Sequence, residues 1–176
     1  CGVHRARDIQ EALDWCKFLS SSPTLLGENA VIITNGGGVG VLAADACEES
    51  EVPLFDDLQA LESIFQDSVP TFGSVKNPID ITGGAKMEDY QSSIVDAFNH
   101  PDIHSIICLG CETAVLTGEV FKSTILKIHQ EHGAKKPSVY CFVGGQEIEE
   151  GIRYLRSKGV PIFSEISDAV SSLGKI

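Results

Sequence analysis

The sequence predicts a doubly wound α/β domain, a parallel sheet with helices on both faces, and three observations carry that expectation. Short β-branched runs such as Ala30-Val31-Ile32-Ile33-Thr34 alternate with longer segments whose apolar residues recur every three or four positions. Strands separated by helices of that length need right-handed crossovers, so they lie parallel and are covered on both faces. The turns that leave these strands are small or polar, and several are glycine-rich.

Taken in order, residues 8–19 space Ile9, Leu13, Cys16 and Leu19 three or four apart, which predicts an amphipathic helix packed ahead of the first strand and ended by Ser20-Ser21-Ser22-Pro23. Residues 1–28 are accordingly read as an N-terminal helix and linker, packing on a domain of residues 29–176. A strand over 30–34 and a helix over 40–50 follow. A brief strand over 52–55 leads to a helix over 56–66 with Leu58, Leu61, Ile64 and Phe65 inward, then a loop over 70–76. Ile79-Asp80-Ile81-Thr82 reads as a short strand, and 87–98 as a helix burying Tyr90, Ile94, Val95 and Phe98. Strands over 103–109, 138–143 and 160–163 alternate with helices over 119–132, 146–157 and 167–173.

A chain of 176 residues, 43% of them hydrophobic, can bury one sizeable core. It has no apolar run long enough for a membrane span and no signal-like start, so a soluble, cytoplasmic protein is expected, with no membrane partner. The chain begins at Cys1 and its one methionine is Met87, which suggests a segment of something longer. A net charge of -12 argues against nucleic acid, because phosphate backbones are met with clustered Lys and Arg. An anionic ligand would instead be held by backbone N–H groups at helix ends. The six cysteines do not make a disulfide scaffold and are expected as thiols.

In a doubly wound sheet, ligands lie beyond the carboxyl ends of the strands. The sequence places there Asn35-Gly36-Gly37-Gly38-Val39-Gly40, Thr82-Gly83-Gly84, Gly110-Cys111-Glu112-Thr113 and Gly144-Gly145-Gln146. The first of these corners admits three readings. It is a plain strand-to-helix turn, or a dinucleotide site, since Gly38-Val39-Gly40-Val41-Leu42-Ala43 satisfies G-x-G-x-x-A with Asp56 or Asp57 as the acidic residue. In the third reading, a phosphate is cradled at a helix N-terminus. Cys108-Leu109-Gly110-Cys111 has C-x-x-C spacing, but Cys108 falls within a strand, and core packing is expected, with Cys111 lining the site. His129 and His132 near a helix end are expected to form a solvated face, and no metal site is assigned.

Thr34 through Asp45, then Asn77-Pro78-Ile79-Asp80, then Phe142-Val143-Gly144-Gly145 before Glu147-Ile148-Glu149-Glu150-Gly151, in that order, resemble the NDP-forming acyl-CoA synthetases. The resemblance covers nearly the whole chain, and one domain of that family: the flavodoxin-like ligase domain. Val39 departs from it, since the ADP-forming relatives often carry proline there. The resemblance implies that an acyl-CoA and phosphate give an acyl phosphate, a histidine on a neighbouring domain takes the phosphoryl group, and an ATP-grasp domain passes it to ADP or GDP.

On that reading Asn35, Gly36, Gly37, Gly38, Val39 and Gly40 bind the phosphoryl group, and Asn77, Pro78, Asp80, Gly83, Gly84, Cys111, Glu112, Gly144 and Gly145 lie in loops facing the site. No catalytic residue is expected on this chain: none of His4, His100, His104, His129 and His132 lies in a glycine-flanked loop. The chain alone is expected to bind no cofactor and to be inactive. CoA, ADP/ATP or GDP/GTP, phosphate and Mg belong to the full enzyme, and the expected partners are its CoA-binding, phosphohistidine and ATP-grasp domains. A different class remains open, a non-catalytic regulatory domain within a protein acetyltransferase that carries a degenerate synthetase core.

Overall fold

The computed structural model describes residues 3–176 and holds a five-stranded sheet. The strands are β1 (Ala30–Thr34), β2 (Ile79–Asp80), β3 (Ser105–Cys111), β4 (Ser138–Val143) and β5 (Ile162–Phe163). They run parallel in the order β2-β1-β3-β4-β5, the doubly wound arrangement in which the chain reverses its winding beside β1 and β3. Seven helices surround them: α1 (Ile9–Ser21), α2 (Gly37–Glu49), α3 (Leu58–Phe65), α4 (Met87–Asn99), α5 (Gly118–His132), α6 (Gln146–Ser157) and α7 (Ile166–Leu173).

Side chains alternate across the sheet and divide the core in two. Val31, Ile33, Ile106, Cys108, Tyr140 and Phe142 meet α3, α4, α5 and α6 on one face. Ala30, Ile32, Ile107, Leu109, Val139 and Cys141 meet α2 and α7 on the other. Helix α1 lies over α7, with Phe18 reaching Phe163 edge to face, ring centroids 6.4 Å apart. Among the described residues, no helix is long and apolar enough to cross a membrane.

Several expectations are corrected. The run 52–55 is not a strand: it contributes one parallel bridge, Ala30 to Leu54, in which Phe55 N–H donates to Ala30 O and Ala30 N–H to Pro53 O. Pro53 has no N–H, so the ladder cannot extend through it. The apolar series Ile9, Leu13, Cys16 and Leu19 faces outward, while Glu11, Trp15 and Phe18 are the buried side of α1. Two aromatic side chains outweigh the smaller series because they remove more apolar surface from water. Finally, α2 begins at Gly37, three residues earlier than the glycine run suggested, Val95 is only half-buried, and Leu58, the first residue of α3, points to solvent while Leu61 and Phe65 are buried.

Candidate functional site

Strand β1 delivers the chain to the sheet's carboxyl edge, and the next two residues fix its exit. Asn35 is buried, and its amide clasps the end of β3: Nδ2 donates to Cys111 O at 2.9 Å, and Cys111 N–H donates to Asn35 Oδ1 at 2.7 Å. Thr34 Oγ1 accepts from Gly36 N–H at 3.1 Å. Gly36 then serves as N-cap of α2 in extended conformation, with no side-chain cap; its carbonyl accepts from Val39 and Gly40. The N–H groups of Gly37 and Gly38 have no protein acceptor among the described residues, so α2 presents free donors and the positive end of its dipole.

The glycines of this turn differ in what they do. None takes a positive φ. A Cβ on Gly40 would lie 3.1 Å from both Pro78 Cβ and Thr34 Cγ2, so this glycine lets α2 pack closely on the sheet. A Cβ on Gly37 would lie 3.0 Å from the Asp80 carboxylate, and one on Gly36 would lie 3.4 Å from Cys111 Sγ. A Cβ on Gly38 would meet nothing within 4 Å. Packing and backbone conformation therefore explain Gly40 and leave Gly38 unexplained. Beyond it, Val41 and Leu42 are both 59% exposed on the first turns of α2.

Asp80 stands beside that helix start. Its Oδ1 accepts from Thr82 N–H at 2.8 Å, holding Thr82 in a left-handed conformation with φ 66° that leads into Gly83 and Gly84. A Cβ on Gly83 would touch Thr113, and Gly84 is open. Asn77 instead looks to the scaffold: it accepts from Ile32 N–H and donates to Ala30 O and Phe55 O, standing in for the missing strand along the outer part of β1. Pro78 packs on Gly40.

The other glycine corner is closed by the chain itself. Glu112 Oε2 accepts from Gly145 N–H at 2.6 Å, placing a carboxylate at the N-terminus of α6. A Cβ on Gly144 would lie 2.5 Å from Ile148 and 2.8 Å from Glu112. Sequence reading placed Glu112 at the edge and missed this bond, for which a lone glutamate among loop glycines gives no signal.

Among the described residues, burial disfavours the thiolate form of four of the cysteines, and Cys16 alone is exposed. Burial pushes Cys108 well above the ordinary thiol range, Cys141 and Cys47 up to about 12, and Cys111 upward; the five described cysteines are all free. Cys1 lies outside the described residues. His129 and His132 do not form the expected solvated face: His129 packs edge-on against Tyr140 and His132 stacks on Phe98, and burial lowers both from the usual imidazole range. In the dinucleotide motif, Gly38 and Gly40 now lie inside a helix rather than in a loop, and Asp57 caps α3 by accepting from Gln59 and Ala60 N–H.

A doubly wound sheet whose first strand feeds a bare helix N-terminus defines an α/β domain suited to holding an anion. More narrowly, the chain matches the Ligase-CoA domain over residues 30–175 and belongs to that family. It is 45% identical over 175 residues to the alpha subunit of ADP-forming acetate–CoA ligase I from Pyrococcus furiosus, covering 99% of this chain and 38% of that subunit. It is 30% identical over 176 residues to ADP-forming acetate–CoA ligase I from Archaeoglobus fulgidus, covering 98% of this chain and 24% of that protein. Among solved structures it superposes with a TM-score of 0.90 on dinucleotide forming acetyl-coenzyme A synthetase 1 from Ca. Korarchaeum cryptofilum in complex with phosphate and ADP, at 32% identity over 99% of this chain and 38% of that one. The chain thus spans well under half the length of these relatives.

Proposed function

We propose that this chain is one domain of an NDP-forming acyl-CoA synthetase, in which the N-terminus of α2 stabilises a phosphoryl group carried by a histidine of another domain. The observation that carries the reading is Gly38, where the missing side chain leaves open space beside two free N–H donors. Such donors, fixed in advance, hold a multiply charged oxyanion without any lysine or arginine. The names of its relatives support the ligase class.

On this reading Asn35, Gly36, Gly37, Gly38, Val39 and Gly40 form the phosphoryl site, with Asp80, Gly83, Gly84 and Cys111 around it. Asn77, Pro78, Glu112, Gly144 and Gly145 shape the neighbouring loops. CoA, the nucleotide and Mg are held by the CoA-binding, phosphohistidine and ATP-grasp domains, and the 176-residue chain alone makes no ATP from acyl-CoA, phosphate and ADP.

The test is Gly38→Asp in the complete synthetase. The new carboxylate competes for the N–H donors and repels the phosphoryl group. Loss of one preorganised donor costs roughly 3–4 kcal/mol, so phosphohistidine formation should fall about a hundredfold or more. Normal phosphorylation by a normally stable variant would reduce the glycines to turn-formers.

A further inference from the structure

Helix α1 has two apolar sides, and this domain covers one of them. Trp15 and Phe18 are buried against α7 and β5. On the opposite side Ile9 is 80% exposed, Leu13 is 59% exposed and Cys16 is exposed as well. These residues are four and three positions apart, so they form one continuous stripe, and Leu19 flanks it at 43% exposure. A surface helix needs a single apolar side to pack on its own domain.

Helix α1 cannot roll to bury the second stripe. Trp15 Nε1 donates to Ser171 Oγ at 3.1 Å, Ser171 Oγ donates to Glu11 at 3.4 Å, and the Lys175 ammonium sits 5.0 Å from the Trp15 ring centroid. These contacts fix which side faces α7.

We propose that the stripe of Ile9, Leu13 and Cys16 is the docking surface for a neighbouring domain of the same longer enzyme, which sets an apolar helix or sheet face against it. The proposal rests on the reading that this domain works within a longer synthetase. Its relatives supply the length: the match to the Pyrococcus furiosus subunit takes in nearly all of this chain, while most of that subunit lies outside the match. A second copy of this chain is the poorer occupant on two counts. One face of a 13-residue helix measures ~20 Å by ~10 Å, far below the ~800 Å² per partner of a stable complex. Two chains of net charge -12 also repel. A domain joined through the chain is held at high effective concentration and needs no large interface.

The experiment follows Cys16 in the complete enzyme, by alkylation with N-ethylmaleimide and peptide mapping. Docking predicts slow modification in the native enzyme and at least about tenfold faster modification in the Leu13→Glu variant, whose charge disrupts the contact. Equal and fast rates in both would overturn the proposal. Because Leu13 is exposed, the substitution should leave the domain folded; Ile9→Lys gives a second, independent disruption. A photo-cross-linking side chain at position 9 should capture a segment outside these 176 residues, and capture of another copy's position 9 would overturn the choice of occupant. Phosphohistidine formation is measured alongside. A freely reactive Cys16 with normal phosphorylation refutes the docking alone, and a protected Cys16 with normal phosphorylation in Gly38→Asp refutes the phosphoryl site alone.

Discussion

Helices α2 and α6 both start from glycine turns at the carboxyl edge of the sheet, yet their N-termini are in opposite states. At α6 the anion is built in, since the Glu112 carboxylate accepts from Gly145 and Gly144 has no room for a side chain. At α2 no side chain caps the helix and Gly38 borders open space. Similar sequence signatures therefore lead to different arrangements, one a brace between two loops and the other a helix start whose first donors have no partner among the described residues. Glycine content alone does not separate them. What separates them is the surroundings that a Cβ would meet.

Substitutions can break this comparison. The largest effect is expected from Gly38→Asp in the complete enzyme, the roughly hundredfold loss of phosphorylation argued above, with thermal unfolding nearly unchanged because an acidic residue suits the first turn of a helix. Gly40→Val should act in the reverse sense, as a folding defect. Its new atoms meet Pro78 and Thr34, and overpacking of this kind costs about 1–3 kcal/mol, measurable by urea denaturation. Glu112→Ala should be milder still. Loss of the contact to Gly145 resembles loss of an N-cap and should cost about 1 kcal/mol of stability, while phosphohistidine formation stays close to normal. A loss of phosphorylation comparable to that of Gly38→Asp would mean that both helix ends handle the phosphoryl group.

The smallest effect lies away from both corners. His129 and His132 have imidazoles lowered by burial, so the unfolded chain binds protons more readily than the folded one. Stability should therefore be complete above the unfolded value of 6.5 and decline as pH falls below it toward the lowered folded values. Unfolding midpoints taken between neutral and mildly acidic pH check this. His129→Phe should flatten the decline, and an unchanged slope would show that other groups cause it.

Much of the fold was legible because its central strands are continuous apolar runs bounded by turn residues. β1 and β4 fall on the residues expected of them, and α4, α5 and α6 within a residue at either end. The misses share a physical cause, which is that a linear pattern does not say what lies opposite. The start of α2 was placed late because glycines weaken a helix interior, whereas here three of them make up much of its first turns. The run 52–55 has strand-like residues, but Pro53 and the side chain of Asn77 leave it a single bridge. On α1 the periodicity was genuine, and it belonged to the side that this domain does not cover. At the candidate site, the glycine corner could be read from sequence. The Glu112 brace could not, because it joins two loops separated by a whole helix.

The Asn35 clasp has a consequence for motion. Its two bonds tie the exit of β1 to the end of β3, and that tie seats the first turn of α2 on the most buried part of the sheet. A donor array anchored in this way moves only as the sheet moves. If the proposed phosphoryl relay holds, this helix end is a fixed berth, and the group that bears the phosphoryl has to be brought to it.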